Sequence, residues 1–167
     1  AEVAAAIGIE IALGLDHAHG LGVIHRDVKP ENVLLRTAMS GRATGEQTEK
    51  LVKLTDFGIA KLLDAQGVTS TGQVLGSPAH MAPEQIEGGE VSARSDVFGL
   101  GVLLYESMVG KLPFDGKNPA QVLRRVLEGA FTSAERARPT VGRGLGSIVD
   151  RALAQDAKDR YASTLEV

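Results

Sequence analysis

The chain has 167 residues, a formal net charge of −3 and no cysteine. That length suits one domain with a real core. The charge argues against a general nucleic-acid binder, which would carry a basic patch or stripe. The missing cysteines exclude a disulfide framework, a thiol nucleophile and a Cys-based zinc site.

Val3, Ile7, Ile11 and Leu15 recur every four residues and predict one face of a helix. Gly8 and Gly14 weaken it by about 1 kcal/mol each against Ala. Gly20 or Gly22 suits its C-terminal cap. "GVIH" (22–25) and "NVLLR" (32–36) read as short strands flanking a polar loop, and "KLVKLTDF" (50–57) as another, with Leu51 inward and Val52 and Leu54 as further candidates. Between the last two, "TAMSGRATGEQTE" reads as a surface hairpin tip. Residues 62–80 are irregular and rich in Gly, Ser and Thr.

"SDVFGLGVLLYESMVG" (95–110) is apolar nearly all round, as expected of a buried helix. Asn118 and Pro119 mark the N-cap and first turn of another. "GLGSIVDRALAQ" (144–155) is one more, and "YASTLEV" (161–167) reads as the start of a last, truncated helix. No apolar run reaches the roughly 18–20 residues of a membrane span. There is no signal-peptide pattern and no internal repeat. The fold class is α+β, mainly α-helical, with short hairpins near the polar loop.

That loop, "HRDVKPEN" (25–32), concentrates the chemistry. Asp27 suits a general base or hydroxyl-orienting group. Lys29 can neutralise a phosphate oxygen as a point charge, and Asn32 offers a neutral amide oxygen, a hard ligand for Mg²⁺. Pro30 stiffens the loop. His25 reads equally as a packed structural residue and a catalytic one. Downstream, "DFG" (56–58) places a carboxylate, an aromatic ring and a flexible glycine at a strand end, and "APE" (82–84) follows. A given tripeptide arises by chance in about one chain in fifty of this length, so the octapeptide is the stronger signal.

In that order and spacing, these motifs resemble the eukaryotic-type protein kinases, the Ser/Thr-specific branch with a bacterial tone. The resemblance continues through "GSPAHMAPEQ", "SDVFGLGVLLYE", "VGKLPFDG" and "KDRYAS" and covers essentially the whole chain. It implies that Asp27 orients the substrate hydroxyl and accepts its proton, that Lys29 steadies the transferred phosphate, and that Asn32 and Asp56 hold Mg²⁺. Glu31 is implied to lie at the nucleotide and peptide side, Leu34 beneath the adenine ring, and Ser77 beside the substrate hydroxyl. Glu84 is implied to pair with Arg160 as a buried bridge and Asp96 to anchor the catalytic loop from below, with His25 and Phe57 in packing roles. Arg26 and Lys61 are implied to form a pocket for a phosphate on Thr71, with Thr69 second. His80 stands where the family commonly has an aromatic residue, and Ser107 where it has a larger apolar one beneath the nucleotide.

The kinase Gly-rich loop and the strand Lys that pairs with a helix Glu are absent from the 167 residues. The resemblance therefore implies residues 1–167 as a large lobe whose small lobe is missing and would act in cis. It would use ATP and Mg²⁺ on Ser/Thr proteins, without nucleic acid or a membrane segment. The expected location is the cytoplasm, or the cytoplasmic domain of a membrane-anchored kinase. The alternative is a non-catalytic lobe that binds substrates or regulators. The isolated chain is expected to be inactive, and poorly soluble around Leu34 and Phe57.

Overall fold

The computed structural model describes residues 1–37, 50–57 and 78–167. Gly58, Lys61, Thr69, Thr71, Ser77 and the hairpin tip lie outside the described residues.

Helix α1 spans Glu2–Gly20. Ile11 and Leu15 of the apolar repeat are fully buried, but Val3 is exposed, so the buried face begins only in the second turn. The two glycines of α1 differ. A Cβ on Gly8 would stand 2.6 Å from a Leu104 methyl, whereas one on Gly14 would meet nothing. Gly8 thus lets α1 approach the central helix closely, and Gly14 has no packing reason. The helix ends where Gly22 takes the left-handed φ of 77°, the conformation glycine adopts without a Cβ penalty.

"GVIH" does not form a strand. Arg26 has φ 67°, and the N–H groups of His25 and Arg26 donate to the Asp96 carboxylate. A side chain has taken the place of a ladder partner. Strands β1 (Val33–Thr37) and β2 (Lys50–Leu54) do form, antiparallel, with Val33 opposite Leu54 and Leu35 opposite Val52. The 3₁₀ turn Pro30–Asn32 leads into β1.

Helix α2 (Pro83–Glu87) begins with Pro at its first position and ends on Gly88 in the left-handed region. Helix α3 (Ala93–Val109) is the centre of the molecule. Ser92 caps it by accepting from the Arg94 N–H, and Gly110 (φ 86°) closes it. Every residue from Ser95 to Tyr105 is buried, as its all-round apolar pattern requires. Helix α1 lies on one side of α3 and α6 (Arg143–Ala152) on another. Helices α4 (Pro119–Leu127) and α5 (Ala134–Ala137) complete the set among the described residues. Asn118 caps α4 through the Gln121 N–H.

The core runs through Ile11, Leu15, Val28, Phe98, Val102, Tyr105 and Phe114. Burying each such aliphatic or Phe side chain contributes about 1.5–3 kcal/mol. Phe98 stacks on Phe114 at 5.8 Å, and Tyr105 satisfies its hydroxyl on the Thr132 carbonyl at 2.8 Å. Val28, from the polar loop itself, is one of these core residues. The chain end forms a 3₁₀ turn, Thr164–Glu166, rather than a further α-helix. The Thr164 hydroxyl ties it to the Ala12 carbonyl.

Candidate active site

Three buried or half-buried polar devices hold residues 25–32 in place. The first is Asp96, in the first turn of α3 and 1% exposed. Its Oδ2 accepts from the His25 N–H (2.8 Å) and contacts His19 Nε2 (2.7 Å), and its Oδ1 accepts from the Arg26 N–H (2.8 Å). A carboxylate near a helix N-terminus is stabilised by the oriented peptide dipoles. Here it also fixes Arg26 at its positive φ, a conformation an unbraced non-Gly residue would leave.

The second device is His25. Its Nε2 donates to the Thr55 carbonyl (3.0 Å), and its Nδ1 accepts from the Asp27 N–H (3.2 Å). One nitrogen donates and the other accepts, so the ring is neutral. Burial pushes its pKa below 6.5, against the opposing pull of the Thr55 carbonyl and of Asp96, Asp27 and Asp56. The ring also packs on Phe57 at 4.6 Å. The third device is Gln85, whose Nε2 donates to the Arg26 carbonyl while its Oε1 accepts from the Ala82 N–H. It ties the start of α2 to the loop.

Upon this base Asp27, Lys29 and Asn32 converge. Lys29 Nζ is 2.8 Å from Asp27 Oδ2. Asn32 Nδ2 donates to the Asp27 carbonyl (2.8 Å) and carboxylate (3.2 Å). Both contacts use the amide nitrogen, which leaves Oδ1 as the ligand atom on offer. The Asn32 carbonyl accepts from the N–H and hydroxyl of Thr55, which places Asp56 next to this cluster. Asp56 is exposed at φ 55°. No group of three or more His, Cys, Asp or Glu side chains arranged for a metal occurs among the described residues. One carboxylate and one amide oxygen instead match Mg²⁺ that keeps waters and phosphate oxygens as its other ligands.

Leu34 is exposed on β1, and Glu31 is exposed on the 3₁₀ turn. Ser107 is exposed on α3 rather than buried.

Away from this cluster, Glu84 and Arg160 meet in a bidentate pair at 2.8 and 2.9 Å. The remaining guanidinium N–H groups donate to the carbonyls of Ala154, Arg94 and Gln155. All five donors are used. The Ser95 hydroxyl donates to Glu84 (2.6 Å), and the guanidinium lies over the Phe98 ring. Burial pushes the Glu84 pKa up, but the hydrogen bonds from Arg160 and Ser95 outweigh it and leave it below the ordinary value.

Motif reading alone did not single out His19, Thr55 or Gln85. His19 lies 77 positions from Asp96 in sequence, so nothing local pairs them. Gln85 adjoins "APE" and was open to notice as a capping residue.

Comparison with known proteins agrees with this arrangement. The family profile described as "Protein kinase domain" matches residues 1–166. The chain is 43% identical over 163 residues to the serine/threonine-protein kinase pkn2 of Myxococcus xanthus, covering 95% of this chain and 19% of that protein. It is 42% identical over 158 residues to the serine/threonine-protein kinase PkaA of Streptomyces coelicolor, covering 94% and 27%. With the serine/threonine-protein kinase PrkC of Bacillus subtilis it shares 35% over 152 residues, covering 91% and 22%. The chain thus spans about a quarter or less of these relatives. The structure titled "Crystal structure of Rad53 1-466 in complex with AMP-PNP" superimposes with a TM-score of 0.74 at 26% identity, covering 98% of this chain and 38% of that one. The motif loop braced from α3, the fold and these relatives lead to one assignment: the chain belongs to the protein kinase domain family, and its relatives are bacterial serine/threonine kinases.

Proposed function

We propose that residues 1–167 are the large lobe of a serine/threonine protein kinase, which transfers the ATP γ-phosphoryl group to protein hydroxyls when joined to a small lobe. The observation that carries this is the convergence of Asp27, Lys29 and Asn32 on a loop whose backbone is clamped by Asp96. The share of its relatives that the chain spans supports the reading as a lobe.

Asp27 orients the acceptor Ser or Thr hydroxyl and takes its proton. Lys29 and Asn32 hold the Asp27 carboxylate in a set direction, and positioning supplies much of the rate in this reaction. Lys29 offsets charge at the transferred group from its place beside Asp27. Asn32 and Asp56 would hold Mg²⁺, which when bound neutralises charge on the ATP phosphates. Glu31 and Leu34 border the nucleotide side. The neutral His25 and the packed Phe57 keep the base and the Asp56 strand end in register.

Arg26 is half-buried, and its Nε is shut from solvent with no hydrogen-bond partner among the described residues. With Lys61 it would receive a phosphate on Thr71, with Thr69 as the second site, through charge-assisted bonds. Ser77 would stand on the substrate side. Mass spectrometry of the active full-length protein should find the 68–74 segment phosphorylated; an unmodified segment would remove this part of the reading. No described helix is long and apolar enough to cross a membrane; a cytoplasmic location is part of the proposal.

The test is a Mg-ATP assay on Ser/Thr peptides with the full-length protein, its Asp27→Asn variant and the 167-residue chain. The full-length protein should turn over, Asp27→Asn should lose about 10²–10⁴-fold, and the chain alone should stay at background. Substantial turnover by the chain alone would overturn the lobe assignment. Inactivity of the full-length protein would favour a non-catalytic binding module.

A further inference from the structure

The peptide link between Arg26 and Asp27 is the backbone unit directly ahead of the candidate base, and side chains hold both of its polar ends. Its carbonyl accepts from Gln85 Nε2 at 2.9 Å. Its N–H donates to His25 Nδ1 at 3.2 Å. The flanking groups are taken as well, the Arg26 N–H by Asp96 and the Asp27 carbonyl by Asn32 Nδ2, each at 2.8 Å. Arg26 sits at φ 67°, where a non-Gly residue stays only when its surroundings hold it. Rotating this peptide plane would break the Gln85 and His25 bonds together and free the Asp27 Cα that follows it.

Gln85 reaches the link from α2, 59 positions away in sequence. The start of α2 is itself anchored: Ala82 and Pro83 are buried, and Glu84 is bridged to Arg160. The Gln85 amide is used at both ends. Its Oε1 accepts from the Ala82 N–H at 2.9 Å while its Nε2 donates to the Arg26 carbonyl. A reversed amide would set N–H against N–H and oxygen against oxygen, so the two partners fix its direction. A carboxylate of the same length would serve Ala82 and repel the Arg26 carbonyl.

We propose that Gln85 is a positioning residue for phosphoryl transfer: by gripping the Arg26 carbonyl it locks the Arg26–Asp27 peptide, and with it the place from which Asp27 meets the acceptor hydroxyl. This rests on the kinase reading above. A cap at the start of α2 needs only an acceptor, which Glu supplies as well as Gln. The donor half of the amide is directed at the catalytic loop. Gln85 acts through the peptide and Asp27, and gives no proton or ligand to the reaction itself.

The experiment compares the full-length protein with its Gln85→Glu and Gln85→Lys variants, with phosphorylation of the 68–74 segment matched by mass spectrometry. Glu keeps the acceptor for Ala82 at a helix start, where negative charge is favoured, and loses the donor to Arg26. Lys does the reverse. Thermal melting should therefore rank Glu above Lys. Turnover of a Ser peptide with Mg-ATP should rank them the other way. In Gln85→Glu, kcat should fall about tenfold with KM for ATP unchanged, and in Gln85→Lys it should stay within about threefold of the parent. Hydrogen exchange gives a readout independent of activity. The amides of residues 25–28 should exchange faster than in the parent in Gln85→Glu, and at close to parental rates in Gln85→Lys.

A merely structural role makes kcat follow melting temperature, with Lys the worse variant. That order, or exchange at 25–28 unchanged in Gln85→Glu, would overturn the inference and leave the kinase reading standing. A parent protein inactive on Ser/Thr peptides would overturn the kinase reading and the positioning role with it, whatever the exchange rates.

Discussion

Two polar clusters are anchored on the first turn of α3, and they are built differently. Around Arg160 every donor ends on a protein acceptor: two Glu84 oxygens and three carbonyls, with an aromatic ring beneath. Around Asp27 the backbone is fully braced by Asp96, His25 and Gln85, yet Asp56 and Glu31 are exposed. A saturated cluster holds a fold, and one braced from behind with acceptors at the front is ready for a ligand. Both draw on α3, since Ser95 serves Glu84 and the adjacent Asp96 serves the loop.

The contrast can be broken most severely at Arg160. Arg160→Ala should destabilise the chain by about 3–5 kcal/mol, because the half-buried Glu84 carboxylate and three carbonyls lose the buried guanidinium that satisfies them. Urea unfolding measures this, and a loss under 1 kcal/mol would show that the knot is not structural. Asp96→Ala comes next. It strands the His25 and Arg26 N–H groups, at about 1–3 kcal/mol each, and should release Arg26 from positive φ, visible as faster amide exchange across residues 25–28. Equal exchange in variant and parent would show that the loop is held by something else.

Close packing offers a gentler probe. A Cβ on Gly99 would stand 3.0 Å from the Val28 Cβ and 3.3 Å from its carbonyl. Gly99→Ala should cost about 1–3 kcal/mol and push the loop that carries Asp27. Gly8→Ala meets only a Leu104 methyl and should cost less, since that side chain can turn. Denaturation midpoints of the two variants test the order. By the same contrast, Asp27→Asn should change stability by no more than about 1 kcal/mol while removing activity from the full-length protein.

Acid should weaken the two clusters in sequence. His25 is held neutral with a folded pKa below 6.5. It favours the folded state fully above that value, and the contribution is lost as pH falls below it. Glu84 has a folded pKa below 4.5, so its contribution persists above 4.5 and is lost as pH falls further. Asp150, raised from 3.8 by burial, acts the other way in the lowest range. Stability followed from pH 8 to 4 should decline first near the catalytic loop, and His25→Gln should flatten the upper part of the curve. An unchanged upper part would assign it to other histidines.

Much of the fold was legible from pattern. The all-round apolar run at 95–110 is the buried α3, Asn118–Pro119 opens α4, and the strand expected at 32–36 forms one residue later, as Val33–Thr37, against Lys50–Leu54. These depend on local rules: periodicity, capping and alternation. The misreadings came where a distant group overrides the local one. "GVIH" has a strand's composition, but Asp96 captures its N–H groups, and Val3 keeps the helical spacing yet extends past its neighbours into solvent. The identities of Asp27, Lys29, Asn32 and Asp56 were readable as a motif. Their bracing by His19, Thr55 and Gln85 was not.

Order along the chain therefore settled which chemical groups exist and which family they belong to, because a motif is a property of neighbours. Packing settled which of those groups are committed to one another and which remain open. Residues such as His19 and Asp96, or Glu84 and Arg160, are more than seventy positions apart and meet only once the core has closed between them. The direction of a carboxylate and the protonation of a buried imidazole follow from such meetings, since each depends on desolvation and on partners that the order of residues does not bring together.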